Sequence, residues 1–99
     1  SGPDKAGWVA LVADEVAKGG GNVTHAKMMR LGNEFIVLMH VSVDPEQRWA
    51  LVKNLKRNTE LKPLNIRTTN LTRRMTGMYE KPVHGLRIHC IGEDRYVDC

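Results

Sequence analysis

Phe35-Ile36-Val37-Leu38-Met39-His40-Val41 is a nearly continuous apolar run. The pattern suits a strand covered on one face and paired along both edges. Ahead of it, Val23 to Arg30 mixes β-formers with polar residues, and Leu31-Gly32-Asn33-Glu34 supplies a turn. Together the two segments read as a β-hairpin whose turn is structural.

Outward from this hairpin the elements alternate. On the C-terminal side, Asp44-Pro45-Glu46-Gln47 signals a helix start, with an Asp cap, Pro at the first position and Gln at the third. Trp49, Val52 and Leu55, with Leu51, form its expected buried stripe, and Lys53, Lys56 and Arg57 crowd its C-terminal end. After an Asn58–Pro63 loop, Leu64 to Leu71 reads as a strand. Leu86-Arg87-Ile88-His89-Cys90-Ile91 is a short alternating strand. On the N-terminal side, Trp8, Val9, Leu11, Val12, Val16 and Ala17 recur at helical spacing between Gly7 and Lys18. Asp4 is placed to cap that helix, and Gly19-Gly20-Gly21 stops it. The order helix, strand, strand, helix, strand, strand predicts an α+β two-layer sandwich with both helices on one face of an antiparallel sheet. It is a βαββαβ unit lacking its first strand and carrying one more at the end.

Ninety-nine residues make one domain with a modest core. No apolar run approaches the roughly 20 residues needed to span a bilayer, so no membrane association is expected. Cys90 and Cys99 form neither a disulfide framework nor a C-x-x-C pair, which points to a reduced, cytoplasmic protein. The net charge of +4 implies weak attraction to anions, its excess lying late in Lys62, Arg67, Arg73, Arg74 and Lys81.

Gly2-Pro3-Asp4-Lys5-Ala6-Gly7-Trp8-Val9, Gly20-Gly21-Asn22-Val23 and Leu31-Gly32-Asn33-Glu34-Phe35, in that order and spacing, resemble an ACT domain. The likeness is greatest to the N-terminal ACT domain of the glycine cleavage system transcriptional repressor family, which carries two such domains in tandem. It covers residues 2–71, with Ala6 where the family has Pro and no first strand before Gly2. Residues 86–99 resemble the start of a second repeat, Gly92-Glu93-Asp94-Arg95 paralleling Gly2-Pro3-Asp4-Lys5. The resemblance implies a ferredoxin-like (ACT) sheet whose first strand lies centrally. Residues 86–91, following a 72–85 loop, are therefore expected to fill the empty central slot, in the same chain or exchanged with a partner. An empty slot would leave two strand edges and the core beneath them exposed.

The candidate ligand-binding residues are Asp4, Lys5, Ala6 and Gly7, at the mouth of the first helix, with Asn22 and Val23 after the glycines. Helix N-terminal N–H groups can hold a carboxylate, and Asn offers both donor and acceptor. Their bland alternatives are capping by Asp4 and a turn role for Asn22. By resemblance, these loops form an amino-acid pocket between two chains. The expected function is then a non-catalytic regulatory domain binding a small amino acid, glycine among the candidates, at a homodimer interface. Occupancy would modulate a protein partner, in the tandem family a transcription activator. The competing readings are a ligand-free dimerisation module and, behind it, a basic nucleic-acid-binding domain, for which the would-be central strand offers only Phe35 as a stacking ring. No nucleophile elbow or P-loop is present, so no enzyme activity is expected. His25, His40, His84 and His89 lack zinc spacing, so neither metal nor cofactor is expected.

Overall fold

In a computed structural model, residues 5–73 and 83–93 are described, and Asp4 lies outside them. Helix α1 runs Lys5–Lys18, two residues earlier than the apolar spacing predicts, and buries Trp8, Val12 and Val16. Its end is a Schellman turn: Gly21 N–H donates to Val16 O at 2.9 Å and Gly20 N–H to Ala17 O at 3.1 Å. Gly20 has φ +82°, a conformation that a side chain disfavours. The chain reverses there, so strand β1 (Asn22–Leu31) runs back alongside α1.

Strand β2 (Glu34–Ser42) pairs with β1 across a turn whose Gly32 has φ +63°. The expected hairpin is present, and its register shifts between Val23 and His25. Helix α2 (Pro45–Arg57) follows with Asp44 at its N-cap. The Asp44 carboxylate makes no capping hydrogen bond; its backbone carbonyl accepts from Gln47 and Arg48 N–H instead. Leu51 and Leu55 are buried in α2, but Trp49 is 72% exposed, which corrects its assignment to the buried stripe. At about 100° per residue Leu51 and Leu55 lie some 40° apart, whereas Trp49 points at least about 120° from either.

The Asn58–Pro63 loop contains a 3-10 turn, Thr59–Leu61, that buries Leu61. Asn58 Oδ1 accepts from Glu60 N–H at 2.9 Å while its Nδ2 donates to Glu15 Oε1 at 2.8 Å, tying the end of α2 to α1. Strands β3 (Asn65–Arg73) and β4 (Val83–Glu93) are antiparallel neighbours, and both extend into the stretch expected to be loop.

The sheet order is β1-β2-β4-β3, antiparallel throughout. This is a ferredoxin-like two-layer sandwich, and β4 fills the central slot between β2 and β3 within the same chain. Alternation explains why β4 suits that place. Leu86, Ile88 and Cys90 are completely buried beneath the helices, and Arg87, His89 and Ile91 face the other way. Gly92, read from sequence as the start of a repeated loop motif, lies within β4. A Cβ there would overlap the Phe35 ring and stand 2.7 Å from Leu64 Cδ2, so only glycine fits. Arg48 Nη1 donates to Gly85 O at 3.4 Å, fastening α2 to the same strand.

All the core residues of the sheet share one face: Phe35, Val37, Met39 and Val41 from β2, with Leu86, Ile88 and Cys90 from β4. No polar or charged side chain is buried among the described residues. Burying each such apolar side chain is worth about 1.5–3 kcal/mol, which makes this helix-covered face the main source of stability.

Candidate functional site

Of the loop residues singled out from sequence, Lys5, Ala6 and Gly7 form the first turn of α1, at the positive end of its helix dipole. Asn22 is exposed at the first position of β1, in register with Ser42. Val23 is half-buried and packs against the core opposite Val41. Helix α1 separates the two groups: fourteen residues at about 1.5 Å each place them some 20 Å apart. Within one chain they do not converge. Val23 contributes to packing, while Asn22 keeps its amide toward solvent.

The glycines before Asn22 are committed to backbone geometry. Gly20 and Gly21 close the helix cap, and the Gln47 side chain lies where a Cβ on Gly20 would sit. Two surface cavities lie away from these loops. One of about 470 Å³ is lined by Leu55, Leu61, Leu64 and Ile66 with Lys56 and Lys62. Another of about 380 Å³ lies between α2 and β3, walled by Pro45, Arg48, Trp49, Val52, Thr68 and Asn70. The exposed Trp49 ring is covered in part by Lys53, whose Nζ is 4.8 Å from its centroid.

The sheet face turned away from the helices carries side chains that sequence spacing alone did not bring together. Its rows follow from the strand registers. Glu34 on β2 is opposite Glu93 on β4; Ile36 is flanked by Met29 and Ile91; Leu38 by Lys27 and His89; His40 by His25 and Arg87. Arg67 and Thr69 of β3 extend the last two rows. Arg87 Nε donates to His40 Nε2 at 3.1 Å, which makes that nitrogen the acceptor and puts the imidazole proton of neutral His40 on Nδ1. The His25 ring meets His40 edge-on with centroids 6.0 Å apart, and His25 Nδ1 lies 3.2 Å from Thr24 Oγ1. Met29, Leu31 and Leu38 are 53%, 70% and 39% exposed, so an apolar patch lies between an acidic end at Glu34 and Glu93 and a basic end at Arg87. Phe35, the one phenyl ring on β2, is buried on the opposite face under the helices.

His89 and Cys90 point to opposite faces, and among the described residues no three His, Cys, Asp or Glu side chains are grouped to hold a metal ion. Burial pushes the Cys90 thiol up to about 11, so it stays protonated and is a packing residue. Lys18 is raised by its hydrogen bond and ion pair with Asp14, at 3.1 Å on the solvent side of α1. No described helix is long and apolar enough to cross a membrane. No protein-family model and no curated protein matches this chain.

Proposed function

We propose that this chain is a non-catalytic regulatory domain of ACT type that holds a small amino acid between two copies and thereby modulates a protein partner. The observation that carries this is the position of β1 at a sheet edge, with the two polar loops at its opposite ends. Asn22 begins β1, while the α1 N-terminus lies toward the Leu31 end. Antiparallel pairing of two β1 edges about Ala26 therefore brings Asn22 of one copy toward the Lys5–Gly7 turn of the other. One loop then supplies the positive end of the α1 dipole for a carboxylate and the other an amide for the ammonium. Exposed Met28 and Met29 on the same strand favour association along it. Ligand binding shifts the partner equilibrium by its differential affinity for the two states.

A thermal-shift screen of the twenty amino acids tests this directly. A ligand at a hundred times its Kd stabilises the fold by about 2.7 kcal/mol, and Asn22→Ala is expected to abolish that shift. Association along the β1 edge is expected to be lost in Ala26→Asp, which sets two carboxylates across the pairing axis. The second reading, a ligand-free dimerisation module, is favoured by the commitment of Gly20 and Gly21 to the helix cap. It predicts edge association that Ala26→Asp abolishes and no amino acid alters.

A further inference from the structure

We infer that the open face of the sheet is a second self-association surface, which stacks on the same face of another copy. It is distinct from the β1 edge and does not rest on an amino-acid ligand. Five apolar side chains, Met29, Leu31, Ile36, Leu38 and Ile91, form a contiguous patch on this face. Patches of this kind, rimmed by charge, mark protein contact surfaces.

What identifies the occupant as a second copy is the arrangement of charge along the two central strands. Down the β2–β4 ladder the register partners are Glu34 and Glu93, Ile36 and Ile91, Leu38 and His89, then His40 and Arg87. A two-fold axis lying across the strands, between the Ile36 and Leu38 rows, exchanges the ends. It sets Ile36 of one copy over Leu38 of the other and both acids over the His40–Arg87 end, twice by symmetry. Such a patch is self-complementary, as an isologous contact requires. Packed sheets are rotated by about 30°, which displaces each end by about one strand; both the acidic and basic ends are two strands wide and tolerate it. Arg87 is already held over the face by donating to His40, so little side-chain ordering remains.

The size is adequate. Nine residues of β2 span about 30 Å, and four strands are about 19 Å across. That is on the order of 600 Å² of flat sheet; side-chain relief brings it near the roughly 800 Å² per partner of a stable interface. The acids at one end also weigh against a nucleic-acid strand, which would meet Glu34 and Glu93 on the same face.

Sedimentation equilibrium of the full chain over a concentration series tests the inference, with circular dichroism confirming that each variant folds. Leu38→Asp is expected to weaken the face contact at least about tenfold. Glu34→Arg and Arg87→Glu each weaken it alone, because each sets like charges together. An equimolar mixture of those two variants restores association to within about threefold of wild type, since each end then meets its opposite. Ala26→Asp, which acts at the β1 edge, leaves this step intact. A wild-type chain that associates with no sensitivity to Leu38→Asp, or a mixture without rescue, overturns the inference whatever happens at the edge. So does a chain that stays monomeric while a single-stranded oligonucleotide binds and loses affinity in Arg87→Glu.

Discussion

The two faces of the sheet are built by the same strands and follow opposite rules. On the helix side every β2 and β4 core residue from Phe35 to Cys90 is within 2% of complete burial, and among the described residues no polar side chain is buried there. On the other side, one residue along, the same strands present Leu38, His40, Arg87 and His89. The covered face supplies the stability, and the open face offers chemistry that solvent or another molecule must satisfy. Beta alternation lets a single segment serve both without compromise.

The largest way to break this contrast is truncation on each face in turn. Ile88→Ala is expected to cost about 2–5 kcal/mol, because the helices above cannot collapse into the space. Leu38→Ala, at low protein concentration, should cost under about 1 kcal/mol by chemical denaturation. Equal costs would show that the open face is covered even in the isolated chain.

Alkaline pH probes the covered face through Cys90. Folding raises this thiol from 9.0 to about 11, so between those values the folded state binds the extra proton. Stability is therefore intact below about pH 9 and falls as pH rises toward 11, by on the order of 2–3 kcal/mol. Subtracting the denaturation free energies of Cys90→Ala isolates this term, with Cys99 replaced by Ser in both chains. Parallel pH profiles would mean that the thiol ionises where it sits.

The smallest effect concerns the turn that leads from α1 into the open edge. Gly20→Ala places a side chain at φ +82° and against Gln47, and is expected to cost about 1 kcal/mol in thermal denaturation. A neutral result would show that the turn relaxes, and that β1 is less firmly positioned than the core strands.

Much of this architecture was legible in the chain itself. The apolar run at 35–41, the Asp-Pro start of α2, the glycine stop of α1 and the alternation at 86–91 rest on local sterics and period, which neighbours in sequence determine. The central slot for β4 came from elsewhere: the strand order that the ACT resemblance implies leaves that slot empty, and an empty slot would expose strand edges and core. Trp49 was misplaced because the apolar residues of α2 spread wider than one stripe, and only packing against the sheet settles which of them are buried.

The candidate site divides the same way. Residue types told which groups could meet an amino acid, and the helix length between Lys5 and Asn22 already separates them by about 20 Å. Only the tertiary structure decided that β1 is an edge strand, that Arg87 reaches His40, and that acids and bases occupy opposite ends of one open face. Those relations depend on strand register between residues as far apart in sequence as Glu34 and Glu93. Periodicity says which face of its own strand a residue takes, but it carries no information about what lies beside it; long-range pairing of backbone and core sets that.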